Sequence, residues 1–365
     1  MTRFYPNPFL DAAPPAYDAA RAWSVVRELL PPLDECAARG AVPSSDGRWS
    51  RNQSVYTGIA GVAVAYLRVG WHARRADLGV DARAYFAKAR AITEQCIAAE
   101  PSSEMVSFYC GTPGALAIAA VAARECGDDA GAEAHWRALL RWKERAISHD
   151  EDELLFGRAG YLYCLLWTRA CGVGATGAGS AEANRAIREV SDETIRRGVA
   201  ISAELNLAPR WPLAYRCFGE PYLGAAHGTL GVITMLLRAH AALPPDLALP
   251  RGTVDLLRGT VDALLGCRHA SSNLPIVLGD RRDEHVHWYV AKHAEIMTEN
   301  TPRYHLRAAP AERRCIIRAQ VPRRARSPRA RTRRRRRARR RVRRVLCRRR
   351  RRLGSRLGAW DPPKG

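Results

Sequence analysis

Three histidines fall within nine residues of the stretch DEHVHWYVAKHAE, at His285, His287 and His293, and a fourth, His227, stands alone in GAAHG. Imidazoles can ligate metals or carry protons near neutral pH, so each group needs a geometric test. His285 and His287 are two residues apart and His293 is six further on, so no helix face collects all three. The stretch therefore reads as a break in the plan of the chain, and none of its histidines is assigned as a metal ligand. His227 lies between Ala226 and Gly228 in an apolar mouth of small residues. There it is either a core histidine with a satisfied hydrogen bond or a proton carrier.

The elements that must position such residues repeat. Four times a Gly-x-x-Gly opens a long apolar, helix-forming run: YTGIAGVAVAYL (Gly58, Gly61), FYCGTPGALAIAAVAA (Gly111, Gly114), LLFGRAGYLYCLLW (Gly157, Gly160) and AAHGTLGVITMLLRA (Gly228, Gly231). Between them lie segments such as DARAYFAKARAITEQCIAAE, whose apolar residues recur at three and four with charges between. That period predicts amphipathic helices. Apolar helices alternating with amphipathic ones predict two layers, the apolar set inside and the amphipathic set outside. Period-two runs are almost absent, so the fold class is all-α. Paired glycines at the mouth of a buried helix allow a tight turn and close backbone approach, and the helix N-termini are expected to offer N–H groups to the middle of the ring. Arg158, in FGRAGY, is expected to be a surface or capping arginine.

Composition bounds the function. The chain has 365 residues with 47% apolar, enough for a core, and a formal charge of +23. That charge is confined to one end: residues 289–365 hold 28 Lys/Arg against 4 Asp/Glu, while residues 1–288 hold 31 against 32. The ten cysteines include no Cys-x-x-Cys, which favours a reducing compartment. The N-terminal segment has no apolar core of a leader and no run is long enough to span a bilayer, so a cytoplasmic location is expected.

The segments RFYPNPF, YTGIAGVAVAYL, SFYCGTPGALAIAAV, DELLFGRAGYLYCLLW, YLGAAHGTLGV and LGDRRDEHVHW, in that order, resemble the eukaryotic lanthionine synthetase C-like family. The resemblance implies an α/α toroid of seven helical hairpins in an inner and an outer ring. It implies a central zinc ion and addition of a thiol to an alkene, with glutathione and dehydroamino-acid peptides as partners. It places His227 as the acid/base and brings Arg3 near the site.

The same resemblance fails after Trp288. The family continues Cys-His-Gly there, its cysteine being the first zinc ligand, and this chain has Tyr289; the adjacent Cys-His pair that supplies the other ligands is absent from residues 289–365. The last two hairpins are missing too, so the expectation is an incomplete toroid over residues 1–288, with the zinc ligands not retained and activity in question. An arginine-rich tail follows over residues 289–365. It cannot bury enough apolar surface to offset its ordering entropy. The tail fits a nucleic-acid or anionic-membrane binder, which would place the protein peripherally at membranes, or the product of a shifted reading frame through GC-rich alanine codons. Two alternatives to the thiol-adding enzyme follow: a non-catalytic scaffold with a binding tail, and a carbohydrate-active α/α-barrel enzyme. The second needs carboxylates in at least two inner loops.

Overall fold

Gly58, Gly111, Gly157 and Gly228 each end a loop and open a helix. The helices they open are α2 (Ile59–Ala76), α4 (Thr112–Glu125), α7 (Arg158–Ala170) and α9 (Thr229–Ala242). The computed structural model describes residues 19–44, 47–76, 80–99, 104–175, 177–268 and 274–279. Arg3, the three clustered histidines, Tyr289 and the arginine tail lie outside the described residues.

The four glycine-led helices form an inner layer, with α2 against α4, α4 against α7 and α7 against α9. Burial is most complete on α4, where every residue from Pro113 to Ala123 is buried. Alanine dominates that run, so neighbouring helices can approach on both sides. The outer layer comprises α1 (Ala19–Arg39), α3 (Ala82–Ala98), α5 (Asp129–Leu140), α8 (Gly177–Glu204) and α10 (Arg251–Gly266), with a short α6 (Lys143–Ser148) before α7. These helices bury one stripe each. On α3 the buried positions are Phe86, Ala89, Ile92, Thr93 and Cys96, and on α5 they are Ala132, Trp136, Leu139 and Leu140. Both sets have the three-and-four spacing of a helix packed on one side. The only regular strands among the described residues are a two-residue pair, β1 (Val42–Pro43) with β2 (Trp49–Ser50). The fold is all-α and layered, as its period predicts.

The Gly-x-x-Gly pairs have a more specific cause than a tight turn. A Cβ on Gly61, Gly114, Gly160 or Gly231 would sit against the backbone carbonyl six residues upstream, that of Val55, Phe108, Leu154 or Ala225. Each loop folds back along the first turn of its own helix, and only glycine leaves room for that return. The returning loops also bond to one another. Tyr56 N donates to Tyr109 O at 2.9 Å, Val106 N to Phe156 O at 3.1 Å and Leu154 N to Ala226 O at 3.2 Å, joining the four loops in chain order into a collar.

The collar corrects the expectation that the helix N-termini present open N–H groups to the centre. Arg158 N and Ala159 N donate to Glu151 O and Asp152 O at 3.1 and 3.0 Å, and Thr229 N and Leu230 N donate to Tyr222 O and Leu223 O at 2.9 and 3.2 Å. The loops consume the donors that a helix start leaves over.

Replacing Gly114 by Ala should therefore lower the unfolding free energy by about 1–3 kcal/mol, the usual cost of overpacking. Gly252→Ala, in the exposed first turn of α10 with nothing within 4 Å of the added carbon, should be neutral or stabilising. Urea denaturation of the two variants checks the contrast.

Candidate functional site

The loop before α7 reads His149-Asp150-Glu151-Asp152-Glu153, an acidic run directly before an apolar helix. The loops into α4 and α9 carry one carboxylate each near the helix start, the exposed Glu104 and the half-buried Glu220. Of these groups only Asp152 and Glu153 are buried, and they share one loop, whereas a glycoside-cleaving site works with two carboxylates on either side of the bond it breaks.

Arg158 shapes this loop. It is wholly buried, contrary to the expectation of a surface or capping role. Its Nε donates to Asp152 Oδ1 at 2.7 Å, while Nη1 donates to the carbonyls of Ala146 at 3.2 Å, Ile147 at 3.0 Å and His149. Asp152, equally buried, takes a second guanidinium from α8, with Arg197 Nε 3.0 Å from Oδ2. A carboxylate between two arginines and a guanidinium on three carbonyls fix the loop against α6, α7 and α8. Charge burial on this scale is tolerated because Nε and Nη1 are matched by Asp152 and the three carbonyls, although Nη2 is buried with no hydrogen-bond partner among the described residues.

The next residue profits. Glu153 is fully buried, and its carboxylate accepts Leu155 N at Oε2 (2.8 Å) and Phe156 N at Oε1 (2.5 Å). Its Oε2 also lies 3.1 Å from Nδ1 of His227, which is 8% exposed. His227 is carried by the loop into α9, whose strap across to the α7 loop is the Leu154–Ala226 hydrogen bond. The imidazole is thus gripped at Nδ1, and the arrangement suits a histidine that donates Nδ1–H to the carboxylate and exchanges protons through Nε2.

A third group addresses the same nitrogen. Cys217 Sγ lies 3.6 Å from His227 Nδ1. The thiol is turned inward by a two-residue reversal in which Cys217 and Glu220 exchange both backbone hydrogen bonds, at 3.0 and 3.1 Å. Phe218 and Gly219 occupy the corner with φ of 52° and 77°. Such a φ is costly for a bulky residue, and here it places the Phe218 ring 5.8 Å from both Phe156 and His227. With Tyr222 and Val277 these rings enclose the site in apolar walls. Burial, with Glu153 and Glu151 nearby, pushes the Cys217 thiol far up from its ordinary value. Glu151 is raised to about 7 by burial and by its neighbours Glu153 and Asp152.

Glu153, Cys217 and His227 place one donor atom each within 4.8 Å of one another, a set able to hold a metal ion. Sequence reasoning found His227 but missed Glu153 and Cys217. The acidic run directly before an apolar helix was a usable signal for the first; the second sits ten residues from His227 behind a turn and left none. Two surface pockets, lined in part by Arg39, Gln53 and Gln95 and by His240, Asp255 and Arg258, include none of the three. No helix among the described residues is long and apolar enough to cross a membrane.

Comparison with known proteins agrees with this architecture. The family model described as lanthionine synthetase C-like protein matches residues 50–288. The chain is similar to the Danio rerio protein named Glutathione S-transferase LANCL1, at 28% identity over 242 residues, covering 65% of this chain and 55% of the relative. It thus spans about half the length of that curated relative.

Removing the Arg158 guanidinium strands Asp152 in a dry interior, so Arg158→Ala should lower stability by about 3–5 kcal/mol. An exposed capping arginine would cost under about 1 kcal/mol. Equilibrium denaturation distinguishes the two.

Proposed function

This chain belongs to the lanthionine synthetase C-like family, and from that premise we propose that it adds the thiol of glutathione across the alkene of dehydroamino-acid residues, with His227 as proton carrier. The observation that supports this reading most is the 3.1 Å contact between His227 Nδ1 and a carboxylate held by two backbone amides. In the addition the thiol gives its S–H proton to the imidazole, the sulfur forms a bond to the β carbon, and the alkene electron pair moves to the α carbon and its carbonyl as an enolate. A proton delivered to the α carbon completes the thioether.

With Nδ1 committed to Glu153, the exchange of that proton falls to Nε2. Glu153 fixes the ring's tautomer and steadies the imidazolium. Phe156, Phe218 and Tyr222, all with rings within 6.2 Å of the imidazole centroid, exclude water that would otherwise compete for the enolate. A zinc ion, when bound, would hold the incoming sulfur as its thiolate near neutral pH. The ligand positions implied by the resemblance begin at Tyr289, which has no ligating sulfur, so no step is routed through a metal there.

Residues 1–288 form the helical body in this reading, and the arginine-rich residues 289–365 bind anionic surfaces. The excess of 28 Lys/Arg over 4 Asp/Glu supports that second role, and attraction of this kind fades with salt. The compartment proposed is the cytoplasm.

Incubating the full chain with glutathione and a dehydroalanine peptide, and following the adduct by mass spectrometry, should show catalysed thioether formation. His227→Gln should lower kcat/KM by about 10²- to 10⁴-fold, the usual worth of a general acid or base, with an unchanged circular dichroism spectrum. Wild-type protein giving no rate above the uncatalysed reaction would contradict the reading.

A further inference from the structure

We propose that Glu153, Cys217 and His227 form a binding site for a zinc-class divalent cation, separate from the ligand positions that begin at residue 289. The inference rests on the donor geometry alone; with the cation bound, Nδ1 is a ligand and no longer donates to Glu153, so the metal-bound and proton-carrying forms of His227 exclude one another.

The three groups converge on one point. In a nucleophilic Cys-His-carboxylate arrangement the thiol and the carboxylate contact opposite imidazole nitrogens, so that a proton can pass between them. Here Cys217 Sγ and Glu153 Oε2 both face Nδ1, at 3.6 and 3.1 Å. One nitrogen cannot serve two such partners with one proton, whereas a cation placed among the three atoms serves all of them. Tetrahedral zinc with ordinary bond lengths separates a sulfur from a nitrogen ligand by ~3.6 Å and a nitrogen from an oxygen ligand by ~3.3 Å. The two separations to Nδ1 need little adjustment, and the sulfur and carboxylate oxygen lie within 4.8 Å of each other.

Charge and orientation agree. A thiolate and a carboxylate neutralise a divalent ion, which matters where Cys217 is 1% and Glu153 0% exposed. One imidazole, one thiolate and one carboxylate suit zinc among the common divalent ions, since calcium and magnesium take oxygen ligands alone. The supporting shell exists already: Leu155 N and Phe156 N aim the carboxylate, and the Phe218–Gly219 reversal aims the sulfur. Three protein ligands leave a fourth position, bounded by Phe156, Phe218 and Tyr222, for water or an exogenous thiolate.

The test is a titration of the reduced, chelator-treated full chain with Co²⁺, without glutathione, followed by Zn²⁺. The expected result is a set of intense visible bands from tetrahedral cobalt with a near-ultraviolet thiolate-to-cobalt charge-transfer band, both bleached by Zn²⁺. Cys217→Ser should abolish the charge-transfer band and weaken binding at least about a hundredfold, beyond the loss usual for a supporting residue. Should that variant fail to fold, Glu153→Gln should weaken binding while keeping the charge-transfer band. A triple variant with His285, His287 and His293 replaced by Ala should bind as wild type does. The proposal is overturned if wild type shows no thiolate band, if Cys217→Ser or Glu153→Gln binds with unchanged affinity, or if the triple histidine variant loses the spectrum.

Discussion

The buried pair between Arg158 and Asp152 is the constraint on which the candidate site depends. An ion pair with both partners out of water is costly unless its lone pairs and protons find partners, and at the loop before α7 such partners reach Nε and Nη1 of Arg158 and both oxygens of Asp152. Because the loop is pinned there, Glu153 cannot relax toward solvent. It turns into the apolar cluster, where two backbone amides and His227 Nδ1 receive it. The surroundings of His227 are thus set by a guanidinium whose hydrogen bonds go to Asp152 and three carbonyls and not to the imidazole.

The collar transmits the same constraint sideways. Each inner loop returns along its own helix, which requires the second glycine of each pair, and each bonds to the next. The helices supply a rigid apolar scaffold, and the loops supply geometry at one end of it. Function concentrates where scaffold and loops meet, because polar groups there can be buried yet held by backbone partners.

Much of the layering was readable before any coordinates. The alternation of Gly-x-x-Gly runs with amphipathic segments predicts inner and outer helices, and they appear in that order. His227 was readable because a titratable ring among Ala226, Gly228 and other small residues has no packing purpose of its own. Arg158 was misread: at the first position of a helix it looks like a solvent-facing residue, and only the returning loop, with Asp152 six residues back, encloses it. Glu153 hid in an acidic run of ordinary loop appearance. Cys217 hid because its approach to His227 depends on Phe218 adopting a left-handed backbone, which no periodicity encodes.

The central claim is that the Arg158–Asp152 pair holds Glu153 in place for His227. It is tested most directly by amide hydrogen exchange at Leu155 and Phe156, whose N–H groups grip the Glu153 carboxylate, in wild-type protein and in Arg158→Lys. Lysine keeps the charge but cannot span Asp152 and three carbonyls together. The account predicts a large loss of protection at those two amides while the amides of α4 keep theirs. Protection at Leu155 and Phe156 that matches wild type would contradict it.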